Sequence, residues 1–555
     1  MGLRETNLDN LNTSKFDVLI IGGGINGAVS AASLSAKGLK VALIDRGDFA
    51  GMTSSNSSNL AWGGIKYLES HEYFLVNELC KSRNHLMASY PSTVQEIRFL
   101  TSIQQGFRFH PWFIYLGTLL YWVLGRFKTK APVLKSANQL KLSESIIDTG
   151  TVAGGFEYSD CYLFDNDARF VFNFIRSSID HGCAAVNYTE SLNSEFDGQQ
   201  WQTQIRDLIG DRELTVTSKV VINACGPYVD ESNRQTNIDT DHRHVFSKGI
   251  HLIVDRLTDE KKVLAFFADD GRLFFVIPMG PKTCIGTTDT PSTDPTEVVT
   301  DEDRRFVLDN VNKMLDLQEP LTESDIISER CGVRPLAVKG ASEQQQWLQM
   351  SRKHAIDIDR EKNHLSIFGG KLTDCLNVGD EVAQVVESLG VQTLYPEAKW
   401  YGEATDDVRD EFFHQAALMG LDAMTPATSS EVLSQRFWRR YGRDAVNMLE
   451  RIRENPKQSE LLIEHSEYLR CEIEHAARKE MIVKLEDFLR RRSKISLVVR
   501  QQDLLNAPGL REACQILFGE AADEKFKEYV DSLGLDSGAI ISGVEPKGNH
   551  QWADA

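Results

Sequence analysis

A chain of 555 residues, 41% hydrophobic and 25% charged, is long enough for several compact units and for a core that encloses a cofactor. Its formal net charge of -19 argues against a nucleic-acid binder, whose affinity rests on Lys and Arg neutralising phosphates. Nine cysteines without a C-x-x-C pair read as reduced thiols, and the polar start MGLRETNLDN has no apolar secretory core, so a cytoplasmic location is expected.

Residues 1–14 read as a polar arm. DVLII at 17–21 reads as a short buried parallel strand, a helical pattern begins at Asn26, and KVALI at 40–44 reads as a second strand, which together form a β-α-β unit. The turn between them, GGGING, holds Gly22, Gly24 and Gly27 in G-x-G-x-x-G spacing. The spacing alone is a weak signal, but a strand before it and a helix after it mark a dinucleotide turn, with the phosphates drawn to the helix N-terminus. Asp45 closes the second strand, where a carboxylate would bind ribose hydroxyls.

The apolar stretch WFIYLGTLLYWVL at 112–124 is short of the roughly 20 residues that span a bilayer. It reads either as a buried helix or as an element lying in a membrane surface, for which Arg126, Lys128, Lys130 and Lys135 are suited. Strand patterns dominate from about 150 to 300, in KVVINA, GIHLIVD, RLFFVIPM and TCIGTTD. A second Gly-Gly junction, IFGGKLTDCLNVGDEVAQ, places Gly369 and Gly370 before a helix. Backbone N–H groups there would stabilise charge on a reduced flavin ring, and with the hydroxyl-rich TSSNSSN at 53–59 this favours FAD over NAD. From about 400 to 533 the pattern is helical and charged, and 536–555 reads as a flexible tail.

Nine ordered pieces resemble the FAD-dependent glycerol-3-phosphate dehydrogenases: DVLIIGGGINGAVSA, DFAGMTSSNSSNLAWGGIKYLE, GFEYSDCYLFDNDARFV, VINACGPYVD, KGIHLIV, FFVIPM, IGTTDT, CGVRPL and SIFGGKLT. DFLRRRS extends the resemblance into the last third. The resemblance implies an α/β fold: a doubly wound FAD-binding domain of the glutathione-reductase/D-amino-acid-oxidase type, an antiparallel-sheet substrate domain and a C-terminal helical domain. The expected division is 15–395 for the FAD domain, interleaved with substrate-domain parts at about 90–150 and 245–325, and 396–535 for the helices. The implied reaction is oxidation of sn-glycerol 3-phosphate, a small phosphorylated polyol, to dihydroxyacetone phosphate. Hydride passes to the N5 atom of non-covalent FAD, and electrons go on to quinone or another acceptor. Many members sit peripherally on the membrane, so contact through 112–135 on the inner face of the cytoplasmic membrane is expected, and a homodimer stays open.

The residues expected on the cofactor are Gly22, Gly24, Asn26, Gly27, Asp45, Thr53, Ser54, Ser55, Gly63, Gly64, Gly226, Gly369, Gly370, Lys371, Leu372 and Thr373. Arg334 is the first candidate anion ligand, since its planar guanidinium binds phosphate in a bidentate way. Lys66, Tyr67, Arg352 and Lys371 join it on the substrate, and His251 in KGIH is the candidate for proton transfer. Thr287, Thr288 and Asp289 read as a structural turn. No metal is expected, because neither Cys471 with His475 nor His242 with His244 belongs to a four-ligand set. The run Arg490 to Arg492 reads as a solvated or salt-bridged helix face.

The stretch SSNLAWGGIKYLE departs from the family pattern, which usually has lysine, histidine and arginine where this chain has Asn59, Trp62 and Lys66. Asp374 stands where threonine is usual and adds an expected anion. These changes leave open a different hydroxy or amino substrate oxidised by the same chemistry, and also a flavin-binding protein without catalysis.

Overall fold

The computed structural model describes residues 2–268, 271–340 and 354–535. Its centre is a sheet in which Lys15–Ile21 lies between Val41–Ile44 and Arg212–Asn223, all parallel. Val18 is paired with Val41 on one side and Val220 on the other, and Val18, Leu19 and Ile20 are fully buried. A run of apolar residues without alternation is the pattern of a parallel strand covered on both faces. Ala184–Val186 and His364–Phe368 extend the sheet in parallel. Helices Ile25–Ala36, Asp167–Asp180 and Cys375–Ser388 contribute to the core on one face.

The stretch expected as a polar arm is a helix, Leu3–Thr13. Its buried Leu8 and Leu11 join Leu19, Ile21, Trp201 and Ile205 in the core of the opposite face. Too few apolar residues stand out in DNLNT for the stripe to be visible before the fold places it against the sheet.

The second sheet has ten strands, drawn from 60–163 and 242–339. Its longest pairing runs antiparallel from His242↔Lys339 to Ile253↔Ser328. One junction, between Val94–Gln104 and Lys262–Phe267, is parallel. The TCIGTTD strand stops at Gly286, so Thr287 to Asp289 leave the sheet. The 112–124 stretch is a helix, Pro111–Leu124, but it is not a buried one: of its residues only Pro111, Thr118 and Tyr121 are buried.

The helices from Asp406–Met419 to Ala522–Ser532 form the last third. They are joined to the first sheet's domain by buried ion pairs. Arg440 binds Asp165 and Glu467, and Arg169 holds Glu480 with Nη2 to Oε2 at 3.0 Å.

Candidate cofactor and substrate site

A cavity of about 710 Å³ lies between the two sheets and reaches the C-terminal helices. At one end the Lys15–Ile21 strand delivers the chain into Gly22, whose φ is +104°. A side chain here would collide with the Ala224 carbonyl, and one at Gly27 would collide with the Gly22 carbonyl. Gly27 therefore serves helix–strand packing and does not line the cavity, whereas Gly22, Gly24 and Asn26 do. The helix begins at Gly24 without a side-chain cap of its own, and Ile25 N donates to Ser54 Oγ at 3.0 Å. Asp45 lines the cavity, and its carboxylate accepts from Gly23 N at 2.6 Å and Gly47 N at 2.8 Å. Burial pushes this carboxyl up to about 6, against the opposing pull of those two N–H groups.

Thr53 and Ser54 line the cavity, but Ser55 is buried behind it and donates to Met52 O at 3.0 Å. Gly63 and Gly64 also stand behind the lining. Gly63 N donates to Asp160 at 3.2 Å, and Gly64, at φ +79°, packs on Tyr67 and Leu79. Gly226, Gly369, Gly370, Lys371, Leu372 and Thr373 all line it. The two glycine turns are tied together, since Asn26 Nδ2 donates to Gly369 O at 3.0 Å. Gly369 N in turn donates to His244 Nε2 at 3.0 Å. His244 thus has a backbone partner, and its neighbour His242 lies 2.7 Å from Asp357 through Nδ1.

Cations gather at the other end. Arg334 stands on Ser328–Lys339 opposite Ser247, and its Nη2 donates to Thr287 Oγ1 at 3.1 Å. Its Nη1 lies 3.5 Å from Asp289 Oδ1. Thr287 and Asp289 are cavity residues that hold the guanidinium, a role beyond the plain turn expected for GTTD. Lys66 and Tyr67 line the same region, with Lys371 Nζ 4.5 Å above the Tyr67 ring. Arg272, the first residue of RLFFVIPM and not singled out from the sequence, is a further cation of the lining, immediately before the Leu273–Met279 strand. Arg352 lies outside the described residues.

His251 does not line the cavity. It is 1% exposed and stands two residues from Gly249, on the face of the His242–Asp255 strand against which Arg334 packs. Both ring nitrogens are buried without a hydrogen-bond partner among the described residues. Burial first, then the positive charges of Arg334 and Arg330, hold its pKa well below the usual histidine value, so the ring is neutral.

The departures in the opening motif fall in different places. Asn59 is buried, at φ +57°, and its amide donates to the carbonyls of Leu163 at 3.2 Å and Asp165 at 3.0 Å. Its oxygen accepts from Arg330 Nη1 at 2.7 Å, so a cation stands beside position 59 although none stands on it. Trp62 and Lys66 line the cavity. Asp374 does not add a lone anion, because its carboxylate meets His354 Nδ1 at 2.9 Å and accepts from Ser82 Oγ at 2.7 Å. Neither partner is readable from GGKLTD, since Ser82 lies 292 residues earlier in the chain.

Residues 17–365 match the FAD dependent oxidoreductase family, and residues 331–520 match the C-terminal domain of alpha-glycerophosphate oxidase. An aerobic glycerol-3-phosphate dehydrogenase of Bacillus subtilis is 30% identical over 388 residues, 69% of each chain. This chain belongs to the FAD-dependent glycerol-3-phosphate dehydrogenase family. The Staphylococcus epidermidis enzyme of that name is 28% identical over 94% of this chain and 95% of its own. The fold is that of the glycerol-3-phosphate dehydrogenase from Bacillus halodurans complexed with FAD: TM-score 0.71 at 22% identity, covering 99% of this chain and all of the other. The L-alpha-glycerophosphate oxidase of Mycoplasma pneumoniae, also with FAD bound, shares the fold over 71% of this chain at TM-score 0.54 and 17% identity.

The family's cofactor is FAD, and the residues present suit it. The cavity is long enough to be lined by both glycine turns, it has a glycine-led helix start for phosphates, and it carries a carboxylate for a ribose.

Proposed function

We propose that the chain oxidises sn-glycerol 3-phosphate at its secondary alcohol to dihydroxyacetone phosphate, passing electrons on to quinone. Bound FAD would supply the hydride acceptor. The observation that supports this reading is the convergence of Arg334, Arg272, Lys66 and Lys371 at one end of a single cavity, with Asp45 near the other. Several cations around a small volume suit a phosphate better than a neutral alcohol, and Arg334 presents its fork from a rigid strand, held by Thr287.

In this reading His251 backs Arg334 and does not itself meet the hydroxyl, because its ring stands outside the cavity lining with both nitrogens buried. The ring is neutral, because burial first and then the charges of Arg334 and Arg330 hold its pKa well below the usual histidine value. Tyr67 and Thr287 would orient the polyol, and placement of the reacting C–H bond carries much of the rate.

A non-phosphorylated substrate is the second reading, supported by Trp62 and Lys66 in the cavity wall where the family has histidine and arginine. Asn59 lends it no support, being spent on Arg330 and two carbonyls. Anaerobic mixing of the holoprotein with glycerol 3-phosphate separates the two. Bleaching of the flavin absorbance supports the phosphorylated polyol; a flavin that dithionite reduces but glycerol 3-phosphate does not overturns it.

The proposed quinone acceptor calls for a membrane contact, and the Pro111–Leu124 helix supplies a surface for one. Trp112, Phe113, Leu116, Leu120 and Val123 are each at least 40% exposed along it, and Phe127 follows at 58%. Fourteen residues span about 21 Å, less than the roughly 30 Å hydrocarbon core, and no helix among the described residues is long and apolar enough to cross a membrane. The apolar face with Arg126, Lys128 and Lys130 beyond it fits a helix lying in the lipid–water interface.

A further inference from the structure

We infer that the C-terminal helical region completes the adenosine end of the FAD site, and that its docking sets how fast the cofactor leaves. Lys484, Glu486 and Arg491 line the cavity together with Asp45, Gly47 and Tyr188. Those three residues come from the last third of the chain and the other three from the dinucleotide-binding part, so neither part encloses this end alone.

The two parts are fastened directly beside the ribose carboxylate. Asp48, three residues beyond Asp45, is 3% exposed. It accepts from Arg491 Nε at 2.7 Å and from Arg492 Nη1 and Nη2, both at 2.8 Å. Burial by itself would raise the Asp48 carboxyl, and the two arginines outweigh it and keep it ionised. The segment Asp487–Arg492 is a π-helical turn, whose wider winding brings two consecutive arginines onto one carboxylate. Around this pair, Tyr188 Oη donates to Asp487 Oδ1 at 2.7 Å, and Asn187 Nδ2 donates to both Asp48 Oδ1 and the Met481 carbonyl at 3.0 Å.

The chemistry of the three lining residues fits the adenosine diphosphate half of the cofactor. Arg491 and Lys484 join Arg46 as cations at an end that also carries Asp45, Asp48, Glu190, Glu231 and Glu486, and a pyrophosphate is the part of FAD that cations attract. Lys484 Nζ is held above the Tyr188 ring at 5.5 Å and pairs with Glu528 at 3.1 Å, so its ammonium is positioned from both domains. Release of the adenosine half then requires the 484–492 segment to swing away, which breaks a buried doubly paired carboxylate, a costly event when one partner is left behind.

The test is made on the full-length holoprotein, with FAD release followed by the recovery of flavin fluorescence after dilution. Lys484→Ala is the informative variant, because that side chain is 42% exposed and its loss leaves the fold intact. The expected result is FAD release on the order of tenfold faster, the size of one charge-assisted hydrogen bond. Arg491→Ala is expected to release faster still. The apoprotein supplies the control: FMN, which has no adenosine half, should bind Lys484→Ala as it binds the parent, while ADP should compete less well. Unchanged FAD release in Lys484→Ala overturns the inference, and so does equal weakening of FMN and FAD, which would place the effect at the flavin end. Should Arg491→Ala fail to fold, Glu486→Gln, also half-exposed, replaces it, and unaltered ADP binding in both surviving variants overturns the inference.

Discussion

Asn26 and Gly369 are 343 residues apart, yet the Asn26 amide donates to the Gly369 carbonyl at 3.0 Å and joins the two glycine turns that line one cavity. Gly370, at φ +107°, lies so close that a side chain on it would press on the Asn26 amide at 3.2 Å. The two turns are therefore held as one rigid cradle. Asn26→Ala is expected to weaken FAD about tenfold by removing one hydrogen bond and the register between the turns, measured by titrating apoprotein with FAD. An unaltered dissociation constant would show that the turns find their spacing without Asn26.

Arg334 is expected to act on the substrate's anionic group. Arg334→Ala should raise KM for glycerol 3-phosphate by two orders of magnitude or more, and Arg334→Lys should recover only part, because the ammonium lacks the planar fork that Thr287 now holds. Steady-state kinetics across phosphate concentrations check this. A KM unmoved in Arg334→Ala refutes the assignment.

Stability should respond to pH through His354. Burial disfavours its charged form, but hydrogen bonds to Asp374 and Glu381 outweigh the burial and raise its pKa from 6.5 to about 9. A raised folded-state value means that this stabilisation is complete below pH 6.5 and is lost as pH rises through about 9. The thermal midpoint should carry a component that falls across that window, and His354→Gln should remove it. A variant with the same pH slope as the parent would contradict the pairing.

Asn59 and Arg330 form a buried polar pair, both at 2% exposure or less. Arg330 Nε and Nη2 have no hydrogen-bond partner among the described residues, Nη2 lies 3.8 Å from the buried Asp167 carboxylate, and Nη1 carries the hydrogen bonds to Asn59 and the Ser57 carbonyl. Asn59→Leu should cost about 2 kcal/mol, and adding Arg330→Met should cost more, since buried Asp167 then loses the cation that stands 3.8 Å away. Denaturant midpoints of the single and double variants decide the matter.

Membrane contact through the Pro111–Leu124 helix predicts that the holoprotein sediments with vesicles containing anionic lipid. Replacing Trp112, Phe113 and Leu116 together by serine should lower partitioning by more than tenfold, given about 1.5–3 kcal/mol for each large side chain buried. Flavin reduction by glycerol 3-phosphate should be unaffected, because these side chains face away from the cavity. Equal sedimentation of both proteins would refute the contact.

What the sequence by itself determined lies in short stretches. The apolar run around Val18, the spacing of Gly22, Gly24 and Gly27, and the Gly369–Gly370 junction before a helix act through neighbours in the chain, so their meaning is local and readable. The same holds for Arg334, whose family motif places it on a strand. Asp48 shows the opposite case. Nothing in RGDF announces a carboxylate that two arginines 443 and 444 residues later will grip. Asp374 likewise looks like an added charge until His354 and Ser82 arrive beside it, and Asn59 looks like a lost one until Arg330 does. Lys484 and Arg491 join the cavity only because the C-terminal helices dock on the loop after the second strand. Only the tertiary structure decided these pairings: the energy of a charge depends on which partners and how much water surround it, and that environment is made by chain segments whose return to the site no local pattern records.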